Sequence, residues 1–159
     1  MVFQSDLHGI MKSKHTKNKC YHKETKGELK MTKFIESPAV KKLCELTKES
    51  YLRCWDERNG GNISVRLEAS EVEGYEDVKE VKRVLDLGFD ASTLAGFYYL
   101  VTGTGRYFRN VTNQPLLDLG LVRISEDGHK AELLWGFEDG GKPTSEFASH
   151  LMSHIERLK

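Results

Sequence analysis

The sequence predicts an α/β domain, and three observations carry that reading. Apolar residues recur at three- and four-residue steps across 38–58, as on one face of an amphipathic helix. Short β-branched and aromatic runs at 62–67, 97–101, 120–124 and 131–135 have the length and composition of strands. A second helical period, Phe147, Leu151, Ile155 and Leu158, closes the chain.

Ser37-Pro38 starts the first helix, with Ser as N-cap and Pro preset at the first helical position. Val40, Leu43, Leu46 and Thr47, then Tyr51, Cys54 and Trp55, mark its inner face to about Arg58, and Gly60-Gly61 should end it directly before a strand. Asn62 to Leu67 alternates as a half-buried strand does. Residues 68–94 are acidic and irregular, a surface excursion with one short helix expected around 78–85. A second strand at 97–101 stops at Thr102-Gly-Thr-Gly105. The runs 120–124 and 131–135 flank Glu126-Asp-Gly128 as a hairpin. Beyond Gly140-Gly141, Pro143-Thr-Ser-Glu146 opens the closing helix.

Composition narrows the function classes. With 159 residues, 38% hydrophobic and 30% charged, the chain is sized for one ordinary domain. Its zero net charge is uneven: seven lysines against three carboxylates leave Met1–Lys30 at +4 and the remainder at −4. A mildly acidic body gives no footprint for nucleic acid, and seven lysines without arginine make a weak basic arm. Cys20, Cys44 and Cys54 lack CxxC spacing and suit buried spectator thiols in a reducing cytoplasm. No apolar run reaches membrane-spanning length.

Residues 1–30 show no usable periodicity and few large apolar residues, so they are expected to be a disordered basic leader. Lys26-Gly27-Glu28 back-translates as a purine-rich ribosome-binding sequence shortly before Met31, which suggests Met31 as the true start and 31–159 as the domain proper. His8, His15 and His22 are spaced by seven, too far apart even on a helix to share one ion.

Three segments have the composition of an anion site: Asn59-Gly-Gly-Asn62, Thr102-Gly-Thr-Gly105 and Thr144-Ser145. Each joins close backbone approach with amide or hydroxyl donors, and the third lies at a helix start where free N–H groups face outward. Taken singly, each is also an ordinary turn. Neither a P-loop nor a dinucleotide fingerprint can be written onto them. Glu146, His150 and His154 follow at i, i+4 and i+8 on one helical face, a spacing that chelates zinc in some helices and merely borders an apolar stripe in most.

In combination these segments become specific. Trp55-Asp-Glu-Arg-Asn-Gly-Gly-Asn62 with Ile-Ser-Val-Arg-Leu67, Leu100-Val-Thr-Gly-Thr-Gly-Arg-Tyr-Phe-Arg-Asn110, Leu134-Trp-Gly136 and Pro143-Thr-Ser-Glu146 resemble, in identity and order, the rhamnulose-phosphate branch of the class II aldolase/adducin family. The match covers about 34–159. The resemblance implies a three-layer α/β/α fold around a central, largely antiparallel sheet, a homotetramer, one zinc ion per subunit, and cleavage of L-rhamnulose 1-phosphate to dihydroxyacetone phosphate and L-lactaldehyde. Carried over residue by residue, it places Asn59, Asn62, Thr104, Gly105, Thr144 and Ser145 around the substrate phosphate, with Glu146 as the acid/base at the carbon next to the carbonyl. A fuculose- or ribulose-phosphate aldolase, or an adducin-like phosphate-binding module without catalysis, are the alternatives.

The family's metal-binding histidines, a His-x-His segment and a third distant His, correspond to positions beyond Lys159, so the C-terminal part of the fold is expected to be missing and no residue here is assigned to the metal. Only His129, His150 and His154 remain as candidates in the domain. The expectation is that residues 1–159 alone neither bind zinc in the family's manner nor turn over substrate. Strands such as 97–101 should then lack partners or covering helices.

Overall fold

The computed structural model describes residues 33–56 and 58–158. The basic leader expected at 1–30, with His8, His15, His22 and Cys20, lies outside the described residues, as do Glu57 and Lys159.

Ser37 caps helix α1 (Pro38–Leu52) by accepting the Val40 N–H at 3.2 Å, with Pro38 at the first helical position. The cap therefore matches the sequence reading, but the far end does not. The helix stops at Leu52, six residues short of Arg58, because the backbone turns at Cys54, whose φ is 55°. Cys54 is exposed, not the buried spectator expected, whereas Cys44 is half-buried against the Val111 carbonyl at 3.9 Å. An irregular loop, not an immediate strand, leads to β1 (Ser64–Leu67).

The excursion forms single 3-10 turns at Ala69–Glu71 and Glu76–Val78, then strand β2 (Arg83–Asp86) where the short helix was expected. Its alternation of half-buried Arg83 and Leu85 with exposed Val84 and Asp86 is that of an edge strand with one face on the core. After β3 (Tyr98–Thr102) come two one-turn helices, α2 (Phe108–Val111) and α3 (Pro115–Asp118), then the hairpin of β4 (Leu119–Ile124) and β5 (Lys130–Gly136), and finally α4 (Phe147–Arg157).

The five strands form one antiparallel sheet in the order β1-β3-β4-β5-β2. Strand β3, expected to lack partners, is paired on both sides and buried along its whole length. The edges fall instead on the four-residue strands β1 and β2. Side-chain alternation sends Tyr98, Leu100 and Leu121 into a core beneath Phe34, Val40 and Leu43, and the register shift in the β4–β5 pairing lets the adjacent Leu134 and Trp135 both join it. Tyr99, Val101, Val122, Ile124 and Leu133 point the other way, into a core closed by Ala91, Leu94, Phe147 and Leu151. Helical layers thus cover both faces of the sheet, which is the α/β/α architecture expected.

Candidate functional site

Thr102, at the end of β3, ties three distant segments together. Its N–H donates to the Ile63 carbonyl at 3.0 Å, and its hydroxyl accepts the Ile63 N–H at 3.0 Å. Its carbonyl accepts the Thr144 N–H at 2.9 Å. Gly103 bridges Pro143, and the Thr104 N–H donates to the Lys142 carbonyl at 3.0 Å. The Gly-Thr-Gly turn and the turn into α4 are thus joined directly, and Asn59–Asn62 is tied to them only through the next residue, Ile63, at the approach to β1.

Gly105 leaves β3 at a φ of +69°, a left-handed conformation that a side chain would strain. Thr104 and Gly105 are exposed, and the Gly105 N–H has no partner among the described residues. Thr144 is buried, and its hydroxyl accepts weakly from the Glu146 N–H at 3.4 Å while its carbonyl accepts the Phe147 N–H at 3.0 Å. This tight turn sets Ser145 and Glu146 on the surface just ahead of α4. The Ser145 N–H, one residue before the N-cap of α4, is likewise unpaired among the described residues.

Two hollows share the candidate residues. Asn62 and Glu146 face a cleft of about 380 Å³ with Ser64 of β1 and with His150, His154 and Arg157 along α4. Thr144 and Ser145 border a second hollow, of about 350 Å³, with Leu85, Leu87 and Lys142. Asn59, Thr104 and Gly105 line neither and lie exposed beside the turns. Glu146, as the N-cap residue of α4, makes no side-chain cap bond and is exposed where it lines the first cleft.

His150 has both ring nitrogens within hydrogen-bond distance of a side chain. Its Nε2 lies 2.6 Å from Asn62 Oδ1 and its Nδ1 lies 2.7 Å from Ser64 Oγ. Burial holds its pKa below the ordinary histidine value, with the Glu146 carboxylate opposing. His154 is also lowered, by burial and then by Arg157 and Arg66, and its ring lies 5.1 Å from that of Tyr99.

These residues do not fit a catalytic metal. Among the described residues no three His, Cys, Asp or Glu side chains converge. His150 has both ring nitrogens engaged, His154 packs on an aromatic ring, and His129 lies exposed on the β4–β5 hairpin. An open catalytic site needs about three protein ligands around one point.

Sequence reasoning missed a second supporting cluster. Arg106 donates to Asp139 at 2.6 Å and approaches buried Asp118 at 3.6 Å, while Arg83 donates to the carbonyls of Gly140 and Gly141. Burial raises the Asp118 carboxyl pKa, against Gln114 and Arg106, which lower it. Together these contacts hold the loop ahead of Thr144 to the Gly103 turn. An Arg beside a Gly-Thr-Gly turn was the available signal, but its partners lie 12 and 33 residues away.

The layered antiparallel sheet, with its polar turns joined at one end, defines an α/β domain, and the comparisons with known proteins give it a lineage. The chain belongs to the class II aldolase and adducin family, whose N-terminal domain pattern matches residues 41–159. Among relatives, the chain is 49% identical to the rhamnulose-1-phosphate aldolase of Listeria innocua over 129 residues, covering 80% of this chain and 47% of the relative. It is 48% identical to that of Enterococcus faecalis, covering 78% and 44%, and 42% identical to that of Yersinia pseudotuberculosis, covering 81% and 47%. The crystal structure of a sugar-phosphate aldolase from Thermotoga maritima superposes with a TM-score of 0.60 at 34% identity, over 74% of this chain and 46% of that one. The chain spans about half the length of the curated relatives it matches.

Proposed function

We propose that this chain carries the phosphate-facing turns and the acid/base carboxylate of a sugar-phosphate aldolase of the rhamnulose-1-phosphate type. The observation that carries the reading is that hydrogen bonds of Thr102 and Thr104, with the Gly103–Pro143 bridge, bring Ile63, directly after Asn59–Asn62, and the turn at Thr144-Ser145 to the Gly-Thr-Gly turn at one end of the sheet. Similarity to rhamnulose-1-phosphate aldolases from three genera supports a rhamnulose 1-phosphate substrate, and in our reading the L-sugar is cleaved to dihydroxyacetone phosphate and L-lactaldehyde.

In this reading Asn59, Asn62, Thr104, Gly105, Thr144 and Ser145 supply neutral donors to a phosphate dianion, supported by the exposed, unpaired N–H groups of Gly105 and Ser145. Retro-aldol cleavage leaves electron density on the carbon next to the carbonyl, and that carbon must take up a proton. Glu146 lines the same cleft as Asn62 and is the carboxyl group placed to deliver it. The divalent ion of the family, zinc in our reading, requires ligands other than the residues described. Assembly as a homotetramer in a reducing cytoplasm completes the proposal, and free Cys44 and Cys54 suit that compartment.

Residues 1–159 by themselves are then a phosphate-binding unit without turnover. Titration with dihydroxyacetone phosphate, followed by amide NMR, should shift the resonances of Gly105, Ser145 and Asn62 whether or not zinc is added. Binding that leaves these amides unmoved would overturn the phosphate assignment. Cleavage of L-rhamnulose 1-phosphate by this chain with stoichiometric zinc would overturn the claim that it is inactive alone.

A further inference from the structure

We infer that His150 is a positioning residue that fixes the orientation of the Asn62 amide, so that its NH2 group and not its oxygen faces the anion. This rests on the phosphate reading above and assigns a role to a side chain which that reading leaves unused.

The contacts determine one another. Asn62 turns Oδ1 towards His150 Nε2 at 2.6 Å, and an amide oxygen can only accept, so Nε2 carries the proton. In a neutral ring Nδ1 is then bare and must accept, and Ser64 Oγ, 2.7 Å away, supplies its hydroxyl proton. Reversing the amide would require the opposite tautomer and would point a carbonyl oxygen into the cleft. The backbone beneath is fixed as well, because Ile63 is clamped in both directions by Thr102. Only the amide rotation of Asn62 is left for a side chain to decide, and His150 decides it from 88 residues away in sequence.

The cleft has a reason to need this. Asn62 shares it with the Glu146 carboxylate, so an outward amide oxygen would add a second acceptor where a phosphate must enter. An outward NH2 offers two donors instead. Orienting a neutral amide in advance spares the ligand the cost of selecting one rotamer on binding.

Nitrogen NMR of the His150 ring in residues 1–159 tests the contact without any ligand. The expected spectrum has a protonated Nε2 and a bare Nδ1, and the reverse tautomer would overturn the inference. Calorimetric titration with dihydroxyacetone phosphate tests its consequence. His150→Phe should weaken binding about ten- to a hundredfold, as loss of a hydrogen bond to a charged group does. Asn62→Ala should weaken it as much, and the double variant no further, because both changes remove one effect. His150→Gln, whose terminal amide can donate from the position of Nε2, should stay within about threefold of the wild type. Equal, strong binding by His150→Phe and the wild type, with Asn62→Ala impaired, would overturn the positioning role. Failure of the wild type to bind would instead overturn the phosphate reading, and the ring tautomer would still decide the contact.

Discussion

Tyr99 carries its hydroxyl into the second core with no hydrogen-bond partner among the described residues, although the residue is fully buried. Its ring meets Phe147 edge-on at 6.1 Å and a tilted His154 ring at 5.1 Å, so packing fixes the side chain and leaves the oxygen without a use. Burial pushes the phenol up to about 12, with Arg66 opposing. A raised folded-state value means that the native state keeps a proton the unfolded chain has released, so stability is lost as pH rises from about 10 through about 12. Tyr99→Phe removes both the idle oxygen and this alkaline loss. Its unfolding free energy in urea should match or exceed the wild type's by up to about 1 kcal/mol at neutral pH. The gap should widen above pH 10; a variant less stable by more than that at pH 7 would reveal a partner for the hydroxyl.

At the scale of elements, the β4–β5 pair sets the tightest constraint. Gly136 ends β5 at a φ of +81°, and a Cβ there would lie 2.0 Å from the Leu119 carbonyl oxygen. Gly136→Ala meets both a left-handed backbone and a clash with main chain that cannot rotate away, and should cost about 2–5 kcal/mol, read as an earlier midpoint in urea. Unchanged stability would mean that this end of the hairpin is loose. The pair also shows what a sequence can disclose. Turn residues at 126–128 and two apolar runs were enough to find the hairpin, because a hairpin is decided locally. Strand β2 was not legible: Arg83 to Asp86 become a strand through hydrogen bonds to 130–133, nearly fifty residues on. The end of α1 was misplaced because its apolar period runs on through Cys54 and Trp55 after the backbone has turned. The same divide runs through the site. Gly-Thr-Gly and Thr-Ser could be named from composition, whereas the His150–Asn62 contact arises only when α4 is laid against the approach to β1.

For the molecule as a whole, the two tryptophans mark opposite environments. Trp135 is 1% exposed at the centre of the first core, whereas Trp55 is 69% exposed beyond the end of α1, with Arg53 over its ring at 5.2 Å. Leu46, Tyr51 and Leu52 are also exposed, at 43%, 44% and 62%, so the apolar stripe of α1 continues past the part covered by the sheet. Large apolar side chains presented together in this way promote association in water. Short edge strands β1 and β2 limit sheet-to-sheet growth, so contact through the end of α1 should dominate. Sedimentation of residues 1–159 should therefore show an average mass that rises with concentration. Acrylamide should quench Trp55 less in the associated species, while Trp135 remains shielded throughout. Leu52→Lys with Trp55→Glu should restore the monomer without changing the unfolding midpoint by more than that expected of surface substitutions, about 0.5 kcal/mol in free energy. A wild-type chain that stays monomeric at every concentration, or a double variant that associates equally well, would place the contact elsewhere on the surface.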